Sequence, residues 1–161
     1  MSPINNVTRF LDSKKIAYTA FETPAEKMGA RETAEFLKVP EDVVFKTIVV
    51  NRDKPKKPIL VVIPGPNVVD LKQLAAFLGE KKVHLPTEWE AEQLTGLQAG
   101  GISPLALINK GFQVVVDSAA QNYPEIHVSG GQRGLNIKLP VADLVNLTKA
   151  RLAPISRTEN S

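Results

Sequence analysis

Apolar positions along the chain come in short blocks whose spacing switches repeatedly between that of a helix and that of a strand. Ile4, Val7, Phe10 and Leu11 follow Ser2-Pro3 at helical spacing and predict an opening amphipathic helix that runs to about Lys14. Residues 16–22 alternate and stop at Thr23-Pro24, which predicts a strand; residues 30–37 predict a helix with Ala34 and Leu37 inward, ended before Pro40. Residues 43–50 are β-branched or aromatic at nearly every position and predict a second strand. The polar, proline-punctuated segment 51–58 joins it to residues 59–63 in a hairpin expected at the centre of the sheet. Asp70 is placed to cap a helix over residues 71–78 that Gly79 ends, and a further short helix is expected over residues 87–94. Residues 112–116, 125–128 and 135–139 predict three more strands, residues 141–148 a closing helix, and the polar residues 151–161 a frayed tail. Hairpins and interspersed helices without a regular β-α-β rhythm predict one α+β domain over residues 1–150, built on a mixed, largely antiparallel sheet.

One position breaks this pattern. Alternation along residues 43–50 puts Lys46 on the same face as Val44, Ile48 and Val50, with Phe45, Thr47 and Val49 on the other. An ammonium among valines is costly to desolvate and needs an anionic partner, a wet cavity or a route to water. A pocket for a polar or anionic substrate is one such cavity. An inward charge that guards an edge strand against aggregation is the other reading of the same residue.

Composition narrows the class. With 161 residues, of which 43% are apolar and 23% charged, the chain is long enough for one full core. The absence of cysteine removes disulfide frameworks and thiolate nucleophiles and fits a reducing cytoplasm. No apolar run approaches the roughly 20 residues of a membrane span, and the first 16 residues lack the apolar core of a signal peptide, so a cytoplasmic location with no membrane partner is expected. The net charge of +3 is compatible with contact to RNA without requiring it. Lys54, Lys56, Lys57, Lys81 and Lys82 are dispersed candidates for such contact, or simply solvated faces.

Two glycine-rich stretches carry the remaining candidate chemistry. Gly100-Gly101-Ile102-Ser103-Pro104 offers a backbone that can come close to a ligand, and adjacent amides there can hold an anion or a developing oxyanion. Val128-Ser129-Gly130-Gly131-Gln132-Arg133-Gly134-Leu135-Asn136 reads as strand, tight turn and return strand. Ordinary turn chemistry explains either stretch taken alone. His84 reads as a surface group; His127 shares a strand face with Glu125 and Ser129 and reads as part of a solvated face rather than of a serine triad. No histidine pair has metal-ligand spacing, and neither a metal nor another cofactor is expected.

Taken together, Val44-Phe45-Lys46-Thr47, Gly100-Gly101-Ile102-Ser103-Pro104-Leu105 and Val128-Ser129-Gly130-Gly131-Gln132-Arg133-Gly134-Leu135-Asn136-Ile137 resemble, in this order and at these separations, the YbaK/EbsC-type aminoacyl-tRNA deacylases. These are free-standing relatives of the editing domain of bacterial prolyl-tRNA synthetases. The resemblance covers nearly the whole chain. It implies trans-editing hydrolysis of a wrong amino acid from tRNA, typically Cys-tRNA(Pro), with the prolyl-tRNA synthetase as natural partner. It also implies site residues. Lys46 would face the terminal adenosine or its phosphate, and Thr47 would shape the pocket through its backbone. Gly100, Gly101 and Ser103 would lie against the aminoacyl carbonyl, with Ile102 and Pro104 among the substrate-binding positions of that block. Ser129, Gly130 and Asn136 would line the other wall, Phe21 would be a pocket aromatic, and Met28-Gly29 a mobile flap. Catalysis would lean on a thiol or ribose hydroxyl of the substrate rather than on a protein nucleophile.

The chain departs from the pattern twice. Many members have an aspartate where Asn136 stands, and an amide keeps a hydrogen bond but not the charge that could pair with Lys46 or orient substrate. After Leu105 the cysteine-specific members continue with a glycine and a basic pair, whereas this chain reads Ala106-Leu107-Ile108-Asn109-Lys110. Both differences leave room for an altered substrate, and for a non-catalytic relative that binds a tRNA 3′ end, a nucleotide or a synthetase, or a protein-interaction domain.

Overall fold

The computed structural model describes residues 4–53 and 56–159. The opening helix, α1 (Asn6–Ser13), is started by Asn5, whose side chain accepts from the Thr8 amide while the Thr8 hydroxyl accepts from the Asn5 amide. Ser2-Pro3, the expected cap, lies outside the described residues. Ile4 precedes the cap and is 68% exposed, so the inward stripe is Val7 and Leu11 alone, with Phe10 partly covered beside them. The chain continues through β1 (Thr19–Glu22), α2 (Ala30–Leu37), β2 (Phe45–Arg52), β3 (Ile59–Pro64), β4 (Asn67–Val69), α3 (Leu71–Leu78), β5 (Val83–His84) and α4 (Glu88–Thr95). It closes with β6 (Gln113–Asp117), β7 (Glu125–Ser129), β8 (Leu135–Pro140), α5 (Val141–Thr148), β9 (Arg151–Ala153) and β10 (Ser156–Thr158). Asp70 and Thr87 cap α3 and α4 through their side chains, and Gly79 and Gly96 end them in the left-handed conformation.

The expected hairpin is β2 against β3, with Lys46 opposite Ile63 and Ile48 opposite Val61. It sits inside a five-stranded sheet of order β5-β2-β3-β6-β9, in which β6 runs parallel to both β3 and β9. A three-stranded antiparallel sheet, β1-β8-β7, and a two-stranded one, β10-β4, complete an α+β fold whose pairings are mixed and mostly antiparallel. β3 is unbroken in its apolar character because Ile59 to Ile63 are all at 0% exposure, covered on both faces. One face joins Phe45, Val49, Leu60 and Val62 to Ile126, Val128, Ile137 and Leu139 of the smaller sheet, and to α1 and α5. The other joins Val50, Ile59, Val61 and Ile63 to Leu74 and Ala75 of α3. Burying each such side chain stabilises the fold by about 1.5–3 kcal/mol. No helix among the described residues is long and apolar enough to cross a membrane.

The C-terminal segment is not the frayed tail its composition suggested. β9 extends the large sheet beside β6, and β10 pairs with β4. Ile155 between them is fully buried. Their anchor is Asp117, 5% exposed, whose Oδ2 accepts from the Ser156 hydroxyl at 2.6 Å and the Ile155 amide at 3.3 Å, while Oδ1 accepts from the Ala119 amide at 2.8 Å. Arg151 adds a guanidinium 4.2 Å from the centre of the Phe77 ring. Strands of three residues carry too little local pattern to be read; a distant sheet edge and a buried carboxylate hold them. Replacing Asp117 by alanine leaves these donors without a charged acceptor and is expected to destabilise the domain by about 3 kcal/mol in urea unfolding. A fall below about 0.5 kcal/mol, the range of ordinary surface changes, would return the segment to a passive tail.

Candidate active site

A gap in strand pairing creates the main cleft. Among the described residues β5 pairs with β2 only at Asn51 and Arg52, and just before β2 Val44 forms a parallel bridge with His127 of β7. Between these points the edge of β2 has no neighbouring strand among the described residues. The Gly65 amide donates to the Val44 carbonyl at 2.9 Å, which sets the phase of the ladder. Lys46, Ile48 and Val50 therefore turn their backbone polar groups towards β3, whereas Phe45, Thr47 and Val49 turn theirs to the open edge. That edge borders a cleft of 390 Å³, walled by residues 26–30, residues 85–88 at the start of α4, the 99–102 segment, and Ser129, Leu135 and Asn136 of the smaller sheet.

Lys46 lines this cleft, half-buried, with no ion pair to any described carboxylate. Burial pushes its ammonium below the ordinary lysine value, against the opposing pull of Glu41 and Glu159. Thr47 lines the cleft from the other face of β2, and its Oγ1 is a buried polar atom with no hydrogen-bond partner. Such an atom costs free energy until something binds it.

The two glycine-rich stretches lie against each other. A side chain at Gly101 would collide with the Gln132 backbone at 2.9 Å, and Gly100, at φ +88°, sits against Lys27, Met28 and Arg133. Arg133 Nε donates to the Ala99 carbonyl at 2.8 Å, fastening the contact. Gly100, Ile102, Met28 and Gly29 reach the cleft lining; Gly101 supports from behind. Ser103 is at 0% exposure outside the lining, where its Oγ accepts from the Leu105 amide at 3.1 Å. Pro104 lines a separate cavity of 300 Å³ together with Leu107, Ile108 and Asn109. The departing segment 106–110 thus lies away from the Lys46 cleft.

The opposite wall differs from the expectation for His127. This residue is 4% exposed, not on a solvated face, because β7 is pinned between β8 and the Val44 bridge. Its Nδ1–H donates to Asn136 Oδ1 at 2.7 Å, and its ring packs on Phe21 at a centroid distance of 5.5 Å. Phe21 stands behind the cleft rather than in its lining, opposite Asn136 in the β1–β8 ladder. Asn136 lines the cleft and bonds to His127, not to Lys46. Ser129 lines it too, its Oγ accepting from the Gly131 amide at 3.2 Å, while Gly130 is packed under Leu135 where a Cβ would clash. The signal for His127 was the hairpin register: Ser129 faces Asn136, which makes His127 its diagonal neighbour on the same face. His84 is exposed, as read. Of the dispersed lysines, Lys54 lies outside the described residues, Lys56 pairs with Glu80 at 2.9 Å, Lys57 donates to the Lys110 carbonyl, and Lys81 and Lys82 are exposed.

Residues 24–147 match the family model described as the aminoacyl-tRNA editing domain. The chain belongs to the aminoacyl-tRNA editing family. Editing of an aminoacyl-tRNA is hydrolysis of the ester that joins amino acid to ribose, so the family is one of hydrolases. A relative from Enterococcus faecalis, named provisionally as the Cys-tRNA(Pro)/Cys-tRNA(Cys) deacylase EbsC, is 34% identical over 156 residues, covering 96% of this chain and 94% of its own. Proline–tRNA ligase of Staphylococcus aureus is 28% identical over 116 residues, covering 72% of this chain and 20% of the ligase. Among solved structures, the hypothetical protein APE2540 superposes with a TM-score of 0.87 at 24% identity, covering 95% of this chain and 100% of its own. A protein described as a candidate trans-editing enzyme for prolyl-tRNA synthetase does so at 0.80 and 23%, covering 96% and 99%. These last two share the fold of the editing domain.

Burial lowers the His127 pKa below the ordinary 6.5, with the Asn136 hydrogen bond opposing, Lys138 adding to the fall and Glu125 opposing. The unfolded chain therefore binds this proton more readily than the folded one. The contribution to stability is present above pH 6.5 and is lost as pH falls through the folded value. Denaturant midpoints measured from pH 7 to 5 should fall less steeply in His127→Gln than in the wild type; equal slopes would contradict the assignment.

Proposed function

We propose that this editing domain hydrolyses a mischarged aminoacyl-tRNA in trans, and that its substrate is Cys-tRNA(Pro). The observation that carries this reading is a half-buried ammonium without an ion-pair partner among the described residues, set beside an open strand edge in a cleft. The cysteinyl identity rests on the provisional name of the Enterococcus faecalis relative. The need for such a step is physical: one methylene in an apolar pocket is worth only about 1–3 kcal/mol of discrimination, so near-isosteres reach tRNA and have to be removed afterwards.

In this reading Lys46 attracts the negatively charged 3′ end, and the burial that lowers its pKa is offset when the anion arrives beside the ammonium. The Thr47 backbone and the Gly100 amide offer neutral partners to the ester and the terminal nucleoside. Attack comes from water or from a group on the substrate. Neither serine near the cleft is joined to an imidazole, since Ser103 is spent on Leu105, Ser129 accepts from Gly131, and His127 donates to Asn136. The protein supplies position and electrostatics. Lys56 and Lys57 bond to Glu80 and the Lys110 carbonyl while Lys81 and Lys82 are exposed; lysine contacts to phosphate do not read sequence, so in this reading tRNA identity falls to a partner, for which prolyl-tRNA synthetase is the natural choice.

The test is release of amino acid from a panel of mischarged tRNAs. Cys-tRNA(Pro) should be turned over fastest, and Lys46→Ala should lower kcat/KM by roughly 10- to 100-fold, the worth of one charge-assisted contact. Ser103→Ala, which removes a buried cap and no reacting group, should keep turnover within about threefold. Tight binding with no release would mark a non-catalytic relative, and abolition by Ser103→Ala would require a serine nucleophile.

A further inference from the structure

The bond between His127 and Asn136 decides which end of an amide the cleft meets. A carboxamide has an accepting oxygen and a donating nitrogen, and whatever holds one end presents the other. Here imidazole Nδ1–H donates to Oδ1 at 2.7 Å. Asn136 is only 5% exposed and lines the cleft, and its Nδ2 has no hydrogen-bond partner among the described residues. Phe21 packs on the ring and the Val44 bridge fixes the strand beneath it, so Nδ1 stays against the amide, and the imidazole tautomer together with the amide orientation sets the direction of the bond. Thr47 lines the same cleft, but its Oγ1, also unpartnered among the described residues, is buried away from the cleft surface and leaves Asn136 Nδ2 as the donor at this pole. The carboxylates that line it, Glu26 and Glu88, are exposed, and Glu88 is held by Lys27 at 2.6 Å.

We propose that Asn136 is a specificity-determining residue that presents N–H donors to the cleft, with His127 as the residue that positions it. This pole of the cleft then takes an uncharged oxygen acceptor of the bound ester and makes no demand on the α-ammonium of the amino acid. The inference rests on the deacylase reading for its substrate and on the His127–Asn136 geometry for its direction.

Two measurements separate these supports. Nitrogen-15 spectra of the histidine side chains, recorded above the titration of His127, read the geometry without turnover. The Nδ1–H tautomer is expected; an Nε2–H tautomer overturns the proposal, because the amide would then show its oxygen to the cleft. The second compares the aminoacyl-tRNA turned over fastest with the α-hydroxyacyl ester of the same side chain, in which a hydroxyl replaces the ammonium. Relative to the uncatalysed hydrolysis of each ester, the wild type should accelerate the two within about threefold, and Asn136→Asp should shift the ratio about tenfold or more towards the ammonium substrate through a charge-assisted bond. A wild-type preference of about tenfold for the ammonium ester on that scale, unchanged in Asn136→Asp, overturns the specificity claim. Absence of turnover with either ester, with the Nδ1–H tautomer in place, overturns the deacylase reading and the specificity built on it while the geometry stands.

Discussion

The site depends on a strand that is paired along only part of its outer edge. β2 is held on one side by β3 from Phe45 to Val50, and on the other by β5 at Asn51 and Arg52 and, just before its start, by the bridge from Val44 to β7. The stretch between has its inner side in the core, and among the described residues its outer amides and carbonyls have no strand to meet. An exposed edge of this kind invites aggregation in most proteins. Here the 26–30 segment, the start of α4 and the glycine-rich loops enclose it, which converts a liability into a cleft with preset hydrogen-bonding groups.

Lys46 gains its properties from the same arrangement. Were the outer edge of β2 paired throughout, the ammonium would have to reach bulk water past α3 or find a buried carboxylate. The cleft gives it a wet, partly apolar setting, and the carboxylates that act on it, Glu41 and Glu159, oppose its loss of charge without forming a contact. Glu159 follows β10, so the C-terminal strands that Asp117 anchors belong to the electrostatics of the site as well as to the fold. Fold stability and the electrostatics of the cleft share those residues.

Much of the architecture was legible where a residue type answers to one local cause. The β3 run, the Asp70 cap and the terminating Gly79 each report a backbone need that neighbours in sequence meet. The oddity of Lys46 was visible because strand alternation is strict. What stayed hidden depended on residues distant in sequence. His127 looked solvated because Glu125 and Ser129 share its face, and only the hairpin register and the Val44 bridge bury it. Residues 151–158 looked frayed because their binding partners, β4, β6 and Asp117, lie far back along the chain. Ser103 stood in a glycine-rich block that suggested substrate contact, yet its hydroxyl is directed into a turn.

The most direct test of this account is amide chemical-shift mapping with a non-hydrolysable substrate end, an adenosine whose 3′ position carries the amino acid through an amide. The account predicts that the largest changes, saturating with ligand, fall at Lys46, Thr47, Gly100 and Asn136, along the open edge of β2 and the walls facing it. Saturable changes confined to the second cavity around Leu107 and Phe112, with β2 silent, would contradict it.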